Sequence, residues 1–371
     1  MKIFLAFAFL IKFSTSVPVN NGQLDNANLT EFMGSRIYVP GEDLTRFGIN
    51  SDNTTIFEAQ FAPHFGVNNG QIMTFAIWTS VNTAKLVFFH GKTYEERTRF
   101  DLSQAPEILK HDKFDNERPT VLYLHGYLEN LECESIHVIV DAYLQRNDHN
   151  IIVLDWSKLA YGLYFMGAVP NLQKLSDPLS DSILDLINAG LDINKLHVVG
   201  HSLGGQLAGA TAKHIKEKSN KALKLRRISA LDPAFPGFYP QMFYNHIDKY
   251  DAKFVDVIHT NGAMAGAPIS TGTVDFWPNS GEFLQPGCME AVCSHHRSWR
   301  YWAESVASKD GEQNFPAVKC TSWSDFKTGR CDEDNFTYMG IACPTTVVGD
   351  YYLETNKAGP YAKGTAGMDF Y

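Results

Sequence analysis

Residues 196–205 read Leu-His-Val-Val-Gly-His-Ser-Leu-Gly-Gly, and this stretch decides the fold. Leu196 to Val199 have the apolar, β-branched character of a short strand. Roughly Gly204 to Lys218 read as a helix. Between them stands G-x-S-x-G, as Gly200-His201-Ser202-Leu203-Gly204. Between a strand and a helix, this pattern puts a serine on a strained turn that lifts its hydroxyl above the sheet. Small residues must flank it, because neighbouring backbone crowds the turn. Ser202 is therefore the candidate nucleophile.

Outward from the turn, strands and helices alternate. Thr120–Leu124 is a short apolar run ending at His125-Gly126. Ile136, Ile139, Val140, Tyr143 and Leu144 then recur at helical spacing. Ile151–Leu154 is a strand, and Leu179, Ile183, Leu186 and Ile187 mark another amphipathic helix. Ile228–Leu231 and Phe254–Ile258 continue the alternation. Upstream, Ile72–Trp78 and Lys85–Phe89 are predicted strands and antiparallel neighbours. Such alternation builds an α/β protein: a mostly parallel central sheet with helices on both faces. Ligands bind such sheets at the carboxyl ends of the strands, so functional residues should follow these runs. No internal repeat or low-complexity linker interrupts the pattern.

A serine hydroxyl needs a base, and the base needs an acid to orient it. On this fold the order is Ser, acid, His. Asp232 follows strand Ile228–Leu231 in Leu-Asp-Pro-Ala, thirty positions after Ser202. Asp256 lies inside an apolar strand and reads as a structural acceptor, and Asp251 stands at the wrong end of that strand. For the base, the adjacent His295 and His296 are barely separable, while His259 reads as a core or supporting histidine. An oxyanion hole needs two backbone N–H groups. One should come from Leu203, and the other from the loop His125-Gly126-Tyr127.

The chain has 371 residues, 44% hydrophobic and 20% charged, as in a folded protein with a substantial core. Its formal charge of −9 and the lack of a basic stripe argue against nucleic acid as a partner. Attraction to anionic membranes is equally unsupported, which leaves lipid contact to apolar residues. Residues 1–16, with Lys2 before the apolar run Ile3–Ile11, read as a signal peptide, so secretion is expected. Sequons at Asn28, Asn53 and Asn335 fit that compartment. So do six cysteines, with Cys288–Cys293 and Cys320–Cys331 the expected disulfides and Cys133–Cys343 left by elimination.

Together these motifs resemble the animal pancreatic-lipase family, whose members include triacylglycerol lipases, phospholipases A1 and insect lipases. The resemblance rests on Leu124-His125-Gly126-Tyr127, Leu154-Asp155-Trp156, Val199–Gly205, Leu231–Ala234, Asp256–Thr260 and Cys293–Ser298, in order over residues 55–360. It implies an α/β-hydrolase fold, with residues 17–54 an N-terminal extension and 55–371 the lipase domain. It also implies Ser202, Asp232 and His295 as catalytic residues, with Tyr127 and Leu203 as oxyanion donors and no cofactor. The complete set counts against a yolk-like, non-catalytic relative.

Two departures bear on substrate. Only Met289–Val292 separate the lid cysteines Cys288 and Cys293, too few for a helical flap. The resemblance then implies an open site and phospholipase A1-type action, with triacylglycerol or galactolipid hydrolysis as the alternative. The segment Asp350–Asn356 reads as a final strand without a C-terminal β-sandwich after it, so no colipase is expected. Lipid contact at a membrane, micelle or lipoprotein surface falls to the loop Gly262–Pro268 and to Phe276, Trp277, Phe283, Leu284 and Met289. Phe235, Phe238, Tyr239, Phe243 and Tyr244 are candidates for the acyl pocket. Asp248 and Asp251 match two acidic positions of a calcium site found in some members, but His246 departs from it, and no metal is assigned.

Overall fold

Strands buried on both faces need apolar side chains at every position, and the central runs of this chain have them. In the computed structural model Val121 and Tyr123 pack into one core, while Leu122 and Leu124 pack into the opposite one. The structure describes residues 80–241, 244–282, 284–308 and 315–370, together with the backbone of four strands nearer the N-terminus. The expected leader, the sequons at Asn28 and Asn53, and Phe243 and Phe283 lie outside the described residues.

The N-terminal strands β1 (Tyr38–Val39), β2 (Glu42–Ile49), β3 (Thr55–Gln60) and β4 (Ile72–Trp78) form an antiparallel sheet in that order. The next are β5 (Lys85–Phe89), β6 (Arg97–Asp101), β7 (Thr120–Leu124), β8 (Asn150–Asp155), β9 (Leu196–His201) and β10 (Leu225–Leu231). They are followed by β11 (Ala252–Ile258), β12 (Val274–Pro278), β13 (Pro316–Lys319), β14 (Asp332–Tyr338) and β15 (Gly349–Leu353). Among the described residues these build one sheet in the order β14-β13-β15-β12-β11-β10-β9-β7-β8-β5-β6. The middle of that sheet, β8 to β15, is parallel, and an antiparallel pair closes each side.

The helices are α1 (Glu134–Arg146), α2 (Ser157–Ala160), α3 (Val169–Asn188), α4 (Leu203–Lys218), α5 (Ala291–Ala307) and α6 (Trp323–Lys327). Leu172, Leu175 and Leu179 of α3 and Leu207 and Ile215 of α4 cover one sheet face. Ile136, Ile139 and Val140 of α1 and Trp299 and Trp302 of α5 cover the other. Described helices include none long and apolar enough to cross a membrane.

Three expectations need correction. Ile72–Trp78 and Lys85–Phe89 are strands but not neighbours: β4 pairs with β3, and both edges of β5 are taken by β6 and β8. The final strand read at Asp350–Asn356 is present as β15, the last described strand in chain order, but it ends at Leu353. Helix α3 starts ten residues before the apolar stripe that announced it and runs through Pro178. Proline within a helix removes a donor and reads as a break, which is why the first half escaped notice.

Candidate active site

The ends of β7, β9, β10 and β11 bring the motifs together at one edge of the sheet. At the β9–α4 junction Ser202 has φ 54° and ψ −119°, a conformation that side-chain-bearing residues rarely adopt. Its N–H donates to Leu231 O at 3.0 Å, and its carbonyl accepts from Ala234 N–H at 3.1 Å. Neighbouring backbone dictates the glycines. A Cβ at Gly200 would lie 2.3 Å from Gly204 O, and one at Gly204 would lie 2.0 Å from Leu124 O. The turn therefore closes only with glycine at both places.

Asp232 caps β10, fully buried. Its Oδ1 accepts the N–H groups of Thr260 (2.8 Å) and Asn261 (3.1 Å), just beyond β11. Its Oδ2 accepts from His295 Nδ1 at 2.6 Å. Three donors fix the carboxylate, which in turn leaves Nε2 of His295 as the free basic nitrogen. The choice between the adjacent histidines is thereby made by geometry: His295 touches the acid, whereas His296 packs its ring 5.7 Å from that of Trp299. Burial lowers the pKa of His296 to about 4, assisted by neighbouring His201.

The loop after β7 is held rigidly. His125 is buried, with Nδ1 donating to Gly126 O (3.0 Å) and Nε2 accepting from Trp156 N–H (3.2 Å). Trp156 Nε1 donates to His125 O at 3.0 Å. Burial holds the His125 pKa below its ordinary value, which suits this neutral tautomer. Tyr127 N–H donates to no described residue, and Leu203 N–H belongs to the first turn of α4, where backbone donors lack helical partners. Both lie beside Ser202, since a Cβ at Gly126 would sit 3.1 Å from Ser202 Cβ.

Sequence reasoning missed two parts of this site. Buried Glu129 accepts from Gly126 N–H and from His201 Nδ1 at 3.2 Å. Burial alone would raise its pKa, but His201, by charge and hydrogen bond, acts together with His125 to hold the carboxyl well below its usual range. His201 Nε2 is buried without a hydrogen-bond partner among the described residues, and its ring centre lies 4.7 Å from that of His295. The second missed part is the turn Tyr164–Ala168, a single π-helical turn of a kind frequent at functional sites. Tyr164 meets Tyr127 edge-on at 5.1 Å and donates to Pro236 O at 3.0 Å. Its aromatic run, Tyr161 to Phe165, was the available signal.

The remaining candidates divide. Phe238 and Tyr239 are buried against the α4 face of the core, while Phe235 and Tyr244 are half-buried beside it. Phe276 is fully buried and offers no lipid-facing surface, whereas Trp277 is half-buried and stacks on His259 at 3.8 Å. Phe276 points into the core covered by α5, and Trp277, its neighbour on the strand, points to the opposite face. Met264, Leu284 and Met289 are exposed, Met289 by 93%. His259 is a core residue whose ring nitrogens meet Ala267 O and Asp275 Oδ1. Asp256 is the structural acceptor expected, paired with Arg227 and Ser229. Asn335 is half-buried on β14 and accepts from Tyr351 Oη at 3.2 Å.

Disulfides join Cys288 to Cys293 and Cys320 to Cys331, whereas Cys133 and Cys343 are free thiols. The pairing reached by elimination is therefore not made. Of the four residues between Cys288 and Cys293, Ala291 and Val292 already belong to α5. Asp248 and Asp251 are engaged by Lys213, whose ammonium occupies the position between them.

A family model described as Lipase matches residues 68–361. Among curated proteins, the chain is similar to Lipase member H of Danio rerio, at 29% identity over 279 residues, covering 69% of this chain and 59% of that protein. It is 35% identical over 188 residues to Vitellogenin-3 of Drosophila melanogaster, covering 50% and 43%. It is 29% identical over 279 residues to Inactive pancreatic lipase-related protein 1 of Mus musculus, covering 68% and 56%. This chain thus spans roughly half the length of these relatives.

Proposed function

From the premise that the chain belongs to the lipase family, built on the α/β-hydrolase fold, we propose that it is a secreted serine hydrolase that releases fatty acids from lipid esters. The observation that carries this reading is the Asp232–His295 pair, 2.6 Å apart and buried, at the sheet edge where Ser202 is held at positive φ.

Ser202 Oγ attacks the ester carbonyl as His295 Nε2 takes its proton, and Asp232 stabilises the imidazolium. The N–H groups of Tyr127 and Leu203 hold the oxyanion, each contributing about 3 kcal/mol to lowering the barrier. His295 then protonates the departing alcohol, and water repeats the cycle to free the fatty acid. Phospholipase A1-type action is favoured by the short turn at Cys288–Cys293, which leaves no room for a helical flap between the two cysteines. The two disulfides favour an oxidising, extracellular compartment. Lipid at a membrane, micelle or lipoprotein surface is the partner, approached through Met264, Leu284 and Met289.

Fatty-acid release from phosphatidylcholine and triolein, measured side by side, tests both levels. The phospholipid should be the better substrate, and Ser202→Ala should lose activity on both by about 10⁴-fold or more. A fluorophosphonate probe should label the parent protein at Ser202. Preference for triolein would replace the phospholipase reading with a neutral-lipid one. Absence of labelling would replace catalysis with lipid binding.

A further inference from the structure

We propose that Lys213 is a built-in cation, tethered to helix α4, that does the work of a divalent metal ion in the loop between β10 and β11. Three oxygens of that loop converge on its Nζ. His246 O lies at 3.1 Å, Asp251 Oδ2 at 2.5 Å and Asp248 Oδ2 at 4.0 Å. One carbonyl and two carboxylates are the donor chemistry that hard cations recruit. Here the centre of that set is filled by an ammonium that cannot diffuse away.

The loop is wound around this centre. Asp248 N–H donates to Asp251 Oδ2 at 2.9 Å, Tyr250 N–H to Asp248 Oδ1 at 2.7 Å, and Asp251 N–H to Asp248 O at 3.1 Å. Asp251 is buried, and burial raises its pKa against the opposing pull of Lys213. The helix presses closely on the loop: a Cβ at Gly209 would lie 3.0 Å from Asp251 Oδ2 and 2.9 Å from Ile247 Cα. Gln206 adds a second fastening, accepting from Ile247 N–H at 2.9 Å and donating to Ala234 O at 2.7 Å. The segment fastened in this way starts beside Asp232 and carries Phe235, Phe238 and Tyr239. Helix α4, whose first residue follows Ser202, thus positions the stretch adjoining the acid without a metal.

The test reads stability, so it stands apart from any assay of hydrolysis. The melting temperature of the full chain is measured in EDTA and in 5 mM calcium chloride, with calcium binding followed by calorimetric titration. The parent protein should melt at the same temperature in both. Lys213→Met leaves a buried carboxylate uncompensated and should melt about 5 °C or more lower in EDTA. Millimolar calcium should recover most of that loss by binding the vacated oxygens. Lys213→Met with Asp251→Asn should recover in EDTA and ignore calcium. Lys213→Arg, which keeps a cation, should also ignore it. If Lys213→Met accumulates only in calcium-containing medium, the proposal is supported. It is overturned if the parent is stabilised by calcium, if Lys213→Met melts like the parent, or if calcium fails to restore it.

Discussion

Glu129 touches the residue before each side of the nucleophile's surroundings: Gly126, whose successor is Tyr127, and His201, whose successor is Ser202. It acts through them, as a positioning residue. Glu129→Gln keeps the size and removes the charge that orients His201. With a soluble ester, kcat should fall about 10- to 100-fold while KM stays within twofold, because only transition-state geometry is disturbed. An unchanged kcat in the folded variant would assign Glu129 to packing alone. At this scale the sequence was legible where a residue follows a strand in a motif, as at Ser202 and Asp232. It was silent on Glu129, whose partners are set by how two loops meet. His295 and His296 could be told apart from their own residues only once Asp232 had a position in space.

Among the elements, α4 depends most on its entry. With Leu124 O only 2.0 Å from a Cβ at Gly204, the helix cannot approach β7 with any side chain there. Gly204→Ala should therefore destabilise the protein by about 3 kcal/mol, the upper range for overpacking, measured by denaturant titration. A loss under about 1 kcal/mol would mean that the helix shifts freely. Strands whose residues all face packed neighbours announced themselves as continuous apolar runs, as at β7 and β8. Strands β6 (Arg-Thr-Arg-Phe-Asp) and β14 (Asp-Glu-Asp-Asn-Phe-Thr-Tyr) gave no such signal, because the outermost position leaves one edge in water. Strand β13 is four residues long and opens with proline, too little pattern to read.

For the molecule as a whole, buried histidines set the response to acid. His296 has a folded pKa of about 4, lowered by burial, and faces His201, His295, Glu129 and Arg300. Burial lowers those of His125 and His197 in the same direction. The unfolded chain takes up these protons first, near pH 6.5, so stability is full above that value and declines as pH falls towards 4. His296→Gln should flatten this decline, seen as a smaller difference between denaturation midpoints at pH 7 and pH 4.5. An equally steep loss would place the acid sensitivity elsewhere. The layering of helices on a parallel sheet was legible from alternation alone, but which strands lie side by side was not. Lys85–Phe89 shows why: its partners lie on a charged strand and on one more than sixty residues away.

The two outermost strands have a consequence beyond this chain. Among the described residues Arg99 and Asp101 lie exposed on one outermost strand of the eleven-stranded sheet, paired with Asp155 and Lys85, and Asp332 and Asp334 lie exposed on the other. A second molecule drawing alongside would have to strip water from these charges before adding to the ladder. The sheet is therefore guarded at both ends against zipping its neighbours into fibres, even where the protein is crowded.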